Sequence, residues 1–174
     1  MSSVDTVLPI DRQVVLVTGG ARGLGSHLVR SFLREGARVV INYRSSGEAA
    51  RELADAHPEK TLTVRADVRD AQQVTDMLGT AREHFGAPVT TVVNNALVDF
   101  SFNGDARPHA DTLTWDDLDR QFSGTVRGAL NTVRAALPGM RESGFGRVVN
   151  VGTNLFQHPV VPYHDYTAAN AALL

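Results

Sequence analysis

Cysteine is missing from all 174 residues, which removes disulfides, thiolate metal sites and thiol nucleophiles together. No apolar run approaches the roughly 20 residues that a membrane-spanning helix needs, so no membrane partner is expected. The chain also lacks an excess of one charge: 17 basic and 19 acidic residues leave a formal net charge of −2 with no long block of either sign, which argues against nucleic acid as a partner. The polar start at residues 1–5 does not have the basic-then-apolar pattern of a signal peptide, and the expected location is cytoplasmic. His27, His57, His84, His109, His158 and His164 are scattered, with no pair four apart on a helix, and no metal site is expected.

What the chain does have is 43% hydrophobic content arranged in alternating segments, and its length suits one domain spanning residues 1–174. Residues 13–18 (QVVLVT) form a short β-branched run that ends in glycines, and residues 24–35 place Leu24, Leu28, Phe32 and Leu33 at roughly helical spacing. Further strands are expected at 38–43, 61–66, 89–94 and 146–151, and helices at 47–57, 70–85, 113–137 and from 166 onward. Strands that alternate with helices imply parallel pairing through right-handed crossovers, hence a doubly wound α/β sheet. Residues 97–112 and 154–165 are too long for simple connectors. Each follows a strand at its carboxyl end, where open α/β sheets bind ligands, so both are expected to wall a substrate pocket.

Between the first strand and first helix lies Thr18-Gly19-Gly20-Ala21-Arg22-Gly23-Leu24-Gly25. Backbone N–H groups and the helix dipole there favour an anion, and phosphate is the natural occupant. Glycine at 19 accepts backbone angles that other residues resist, and glycines at 23 and 25 allow close approach to a pyrophosphate. The alternative for an isolated glycine motif is a tight turn without a ligand.

The spacing TGxxxGxG resembles that of the short-chain dehydrogenase/reductase family, nearest to its 3-oxoacyl-carrier-protein reductases. Three more segments match in the family's order. Asp67-Val68 corresponds to the pair that holds the adenine, and Asn94-Asn95-Ala96 to the NNAG motif beside the cofactor, with Leu97 where glycine is usual. Thr153 and Tyr166, thirteen residues apart, correspond to the hydroxyl that polarises a carbonyl oxygen and the tyrosine that donates a proton to it. The resemblance implies a Rossmann-type sheet in the order 3-2-1-4-5, a nicotinamide cofactor, a small-molecule carbonyl substrate and the homo-oligomer typical of the family.

NAD and NADP are told apart at the end of the second strand, where an acid would bind the ribose hydroxyls and repel a 2′-phosphate. The family's acidic position falls on Tyr43, followed by Arg44, Ser45 and Ser46. With Arg22 in the glycine turn as a second cation, NADP(H) is expected over NAD(H). The other reading of the two arginines is that both are solvated.

Two positions of the catalytic set depart from the family. Asn170 stands four residues after Tyr166, where a lysine is expected; a cation one helical turn away would lower a tyrosine pKa from its ordinary ~10. The family's catalytic asparagine, three residues before Gly128, is Thr125. Tyr163 fits the template less well than Tyr166, His164 and Asp165 are read as a surface pair, and Thr114 with Asp117 as a helix cap. Family members also continue beyond the tyrosine helix, so the fifth strand is expected to present an apolar edge. Two functions stand: an NADP-dependent carbonyl reductase, weakened or inactive in this form, and a dinucleotide-binding module that has lost the chemistry.

Overall fold

Short runs rich in valine and other β-branched residues, closed by polar or glycine-containing turns, make the strands four to six residues long, with the three central strands of the sheet largely buried on both faces. The structure, a computed structural model, describes residues 7–174, so the polar start at residues 1–5 lies outside it. After a 3-10 turn at Ile10–Arg12, the elements are β1 (Val14–Val17), α1 (Gly23–Arg34), β2 (Arg38–Tyr43), α2 (Gly47–Asp55), β3 (Thr61–Arg65), α3 (Ala71–Phe85) and β4 (Thr91–Asn94). Then follow α4 (Trp115–Phe122), a π turn (Ser123–Arg127), α5 (Gly128–Glu142), β5 (Arg147–Asn150) and α6 (His164–Leu173). All neighbouring strands are parallel, and the sheet order is β3-β2-β1-β4-β5, as expected.

Successive strand side chains point to opposite faces, and this alternation divides the core in two. Val14, Leu16, Val40 and Val92 pack on Val74, Met77 and Ala81 of α3 and on Ala136 and Met140 of α5. Val15, Val17, Val39, Ile41 and Val93 pack on Val29 and Leu33 of α1 and on Ala50 and Leu53 of α2. Helices thus cover both faces. The buried stripe of α1 is Gly25, Ser26, Val29 and Leu33, not one that begins at Leu24, which is exposed at the mouth of the cavity described below.

Side-chain caps mark helix ends as the residue types predict. Asp70 accepts from the backbone N–H groups of Gln72 and Gln73 at 2.9 and 3.1 Å, and Gly86 ends α3 in the left-handed region at φ 63°. Thr114 and Asp117 form a reciprocal capping box at the start of α4. The helix expected over 113–137 differs in two respects. A π turn interrupts it, and it runs through Pro138 to Glu142, because Pro138 is exposed while Met140 beyond it is buried in the core. Hydrophobic anchoring on the far side of the proline outweighs the lost hydrogen bond.

The π turn matters for the site. Ser123, Gly124 and Thr125 are buried there, and a Cβ on Gly124 or Gly128 would stand 2.7 Å from Val98 Cβ or 2.8 Å from Val68 Cγ2. The helix therefore lies directly against the segments that leave β4 and β3. At the far side of the sheet Val148 and Val149 of β5 are each 42% exposed, and no strand among the described residues pairs with its outer edge. No helix of the structure is long and apolar enough to cross a membrane.

Candidate functional site

The glycine turn is held from two sides by polar side chains. Thr18 Oγ1 accepts from the backbone N–H of Asn95 and Ala96 at 2.9 and 3.0 Å and donates to the Val93 carbonyl at 3.2 Å. Asn95 Nδ2 donates to the carbonyls of Thr18 and Gly19 at 3.0 and 3.3 Å. From β2, Asn42 Oδ1 accepts from Gly19 N at 3.3 Å while Asn42 Nδ2 donates to the Ala66 carbonyl at 3.0 Å. One side chain thus joins the glycine turn to the end of β3. Replacing Thr18 with valine keeps the shape but strands the N–H donors of two half-buried residues, Asn95 and Ala96. The expected cost is about 2–4 kcal/mol of stability, read as a lower urea midpoint, against a change near zero if water replaces the hydroxyl.

The glycines of the turn serve different ends. Gly19 and Gly23 have φ of 62° and 52°, and a Cβ at Gly23 would meet nothing within 4 Å, so its role is conformational. Gly25 is a matter of space. A Cβ there would lie 2.3 Å from the Gly19 carbonyl oxygen and 2.7 Å from Asn95 Nδ2, so turn and helix meet only because that atom is absent.

Above the turn opens a cavity of about 950 Å³, at the upper end of the volumes usual for small-molecule sites. It is lined by Thr18, Gly19, Arg22, Gly23, Leu24, Gly25, Tyr43, Arg44, Ser45, Asp67, Val68, Asn94, Asn95 and Ala96, and by Thr125, Tyr166 and Asn170. Thr153 is not among the lining residues; its Oγ1 accepts from Leu155 N at 3.2 Å, at the base of the loop that follows β5. Asp165, expected at the surface, is buried in the first turn of α6, where the helix N-terminus favours a carboxylate. Tyr163 is also buried, its hydroxyl accepting from Gly104 N at 3.1 Å, which gives it a structural task.

At the β2–β3 end of the cavity two arginines and two carboxylates interlock. Both Nη atoms of Arg44 donate to Asp99, and Arg69 Nη1 reaches the same carboxylate at 3.3 Å. Arg69 also holds Asp67 through Nε and Nη2, at 3.0 and 2.6 Å. The hydrogen bond from Arg69 holds the Asp67 carboxyl below its ordinary pKa, and the one from Arg44 does the same for Asp99. Arg22 is exposed at the start of α1.

At the other end Tyr166 and Asn170 sit one turn apart on α6, both buried, with Asn170 Nδ2 donating to the Tyr166 carbonyl at 2.9 Å. The Phe100 ring stacks on Tyr166, with centroids 4.3 Å apart and planes 18° from parallel. Thr125 faces the same space from the π turn. An asparagine ladder supports the floor: Thr132 Oγ1 donates to Asn94 Oδ1 at 2.7 Å, and Asn94 Nδ2 donates to Asn150 Oδ1 at 2.9 Å.

These features fit a dinucleotide. The turn presents a helix N-terminus without a Cβ at its tightest point, the cavity is long enough to reach from β3 to α6, and no acid stands at the end of β2. Residue-by-residue reading missed Asn42, Arg69, Asp99 and Phe100. Asn42 carried a signal, a polar residue inside the apolar run RVVINY. Asp99 and Phe100 lie in the 97–112 segment expected to wall a pocket, but their roles carried no signal of their own, since their partners Arg44, Arg69 and Tyr166 are 55, 30 and 66 positions away in the chain.

Comparison with known proteins accounts for the pattern. The family model for short chain dehydrogenases matches residues 13–174. The chain is 33% identical over 177 residues to a versicolorin reductase of Emericella nidulans, covering 99% of this chain and 63% of that protein. It is 30% identical to an NADPH-dependent aldehyde reductase of Arabidopsis thaliana, over 92% of this chain and 62% of the relative. The structure superposes on an L-sorbose reductase of Gluconobacter frateurii, solved with NADPH and L-sorbose, with a TM-score of 0.79 and 26% identity over 92% of this chain and 60% of that one. The chain therefore spans about three fifths of the length of these relatives. Glycine turn, sheet order and asparagine motif have one common source: the chain belongs to the short-chain dehydrogenase/reductase family.

Proposed function

We propose that residues 1–174 form one NADP(H)-binding unit of an oxidoreductase that reduces a carbonyl, a 3-oxoacyl group or similar ketone, to an alcohol. The observation that carries this reading is the continuity of one cavity from the glycine turn to Tyr166, with Arg44 and no acid where β2 ends. Thr18, Gly19, Gly23, Gly25 and the Asn94–Ala96 segment would hold the pyrophosphate and the sheet beneath it. Asp67 and Val68 would border the adenine, and Tyr43, Arg44, Ser45 and Arg22 the 2′-phosphate. The bound nicotinamide supplies hydride. Tyr166 donates the proton to the carbonyl oxygen, with Phe100 keeping water from its ring face. Asn170 offers an amide to a ribose hydroxyl but no charge. Thr125 is a polar group beside this space, and Thr153, next to the lining residue Gly152, would polarise the carbonyl oxygen.

Names of the relatives support the cofactor choice, since an NADPH-dependent reductase and an NADPH complex stand among them. Direct titration tests it. NADPH is expected to bind about tenfold tighter than NADH, the worth of roughly one added charge-assisted contact; equal affinities or tighter NADH overturn the reading.

A second reading, a binding module without turnover, draws on the uncharged amide of Asn170, one N–H of which already bonds the Tyr166 carbonyl. NADPH consumption with a panel of ketones separates the two.

A further inference from the structure

The Arg44–Asp99–Arg69 contact crosses the cavity at the carboxyl end of β1. Arg44 follows β2 and Arg69 follows β3, whereas Asp99 comes from the loop after β4, on the other side of β1. Two guanidiniums from separate elements thus converge on a single carboxylate, the arrangement that also suits a phosphate. Arg44 and Asp99 both line the cavity.

The two carboxylates of the cluster are not equivalent. Asp67 accepts from its own neighbour's guanidinium and from Arg69 N at 3.0 Å, two residues along the chain, and its side chain is 21% exposed. Asp99 is 37% exposed and has φ of 52°, the one non-glycine residue in the left-handed region among the described residues. A residue whose backbone is held in that sparsely populated conformation by its side-chain contacts is the one that yields when those contacts find a better partner.

We infer that Asp99 is a specificity-determining residue: its carboxylate occupies the anion site formed by Arg44 and Arg69, so a cofactor's 2′-phosphate binds only by displacing it. The inference rests on the NADP(H) reading and deepens it. An acid near this ribose also accepts from a free 2′-hydroxyl, so Asp99, arriving from the β4 loop, does for the unphosphorylated cofactor what an acid at the end of β2 would do. The chain as it stands therefore discriminates less between the two cofactors than its arginines allow, because the phosphate competes with an internal anion.

The test is calorimetric titration of the full chain and of Asp99→Asn, Asp99→Ser and Arg69→Gln with 2′,5′-ADP and 5′-ADP. In both Asp99 variants the preference for 2′,5′-ADP over 5′-ADP is expected to rise about 3- to 10-fold, on the scale of a partly exposed ion pair. In Arg69→Gln it is expected to fall. An unchanged or lower preference in both Asp99 variants, with melting temperatures near that of the parent, overturns the inference even if the parent prefers 2′,5′-ADP. A parent without that preference whose Asp99 variants acquire it refutes the NADP(H) reading while upholding the role of Asp99. No preference in any variant overturns both.

Discussion

Gly25→Ala is expected to lower the affinity for the dinucleotide about 100-fold, a loss near 3 kcal/mol. The added Cβ would lie 2.3 Å from the Gly19 carbonyl oxygen, which is backbone and does not rotate away, and 2.7 Å from Asn95 Nδ2, which is bonded to Thr18 and Gly19. Relief requires the first turn of α1 to move off the glycine turn, and the N–H groups proposed to face the pyrophosphate move with it. Overpacking of this kind costs about 1–3 kcal/mol of stability as well, so a melting curve accompanies the titration to show that the variant is folded. Gly23→Ala is the control. Nothing lies within 4 Å of its Cβ, and the penalty is the left-handed backbone alone, about 1 kcal/mol. Equal effects at the two positions would mean that backbone angles, not close packing, make the site.

The second large effect concerns proton transfer. Tyr166→Phe is expected to reduce turnover with a ketone about 10²- to 10⁴-fold while leaving NADPH affinity within a small factor, because the hydroxyl acts on the carbonyl oxygen only as the bond changes. Asn170→Lys should act in the opposite direction. Asn170 is buried but lines the cavity, so a longer side chain has space in front of it, and an ammonium one turn from Tyr166 favours loss of the tyrosine proton. A rise of about tenfold or more in kcat over the parent is expected. If the parent turns over and the lysine variant is slower, Asn170 belongs to a working arrangement of its own. If Tyr166→Phe equals the parent, the proton comes from another group.

Much of this molecule could be read before folding was considered. β2 (Arg38–Tyr43) falls where the β-branched run predicts it, and α3 begins at the residue after Asp70 because an aspartate there can satisfy two free N–H groups. The cofactor candidates cluster because each ends a strand of one parallel sheet, and all parallel strands present their carboxyl ends to the same side. Less could be read around residues 113–142, where neither the helix's run past Leu137 through Pro138 nor the π turn carried a local sign, since both depend on what the helix packs against.

The sequence by itself determined the strands, the helices between them and the place of the glycine turn, because hydrophobic period, capping residues and glycine spacing act over a few residues at a time, whereas the strand order came with the family resemblance. Only the tertiary structure decided which charges meet. Arg44 reads along the chain as a free cation for a phosphate, yet in the fold its guanidinium is already held by Asp99, 55 residues away. Thr153 likewise keeps the right spacing to Tyr166 but stands outside the lining of the cavity, because the loop between them sets where each side chain falls. Electrostatic partners and reach across a cleft depend on distance in space, and a parallel sheet brings together strand ends that the chain keeps far apart.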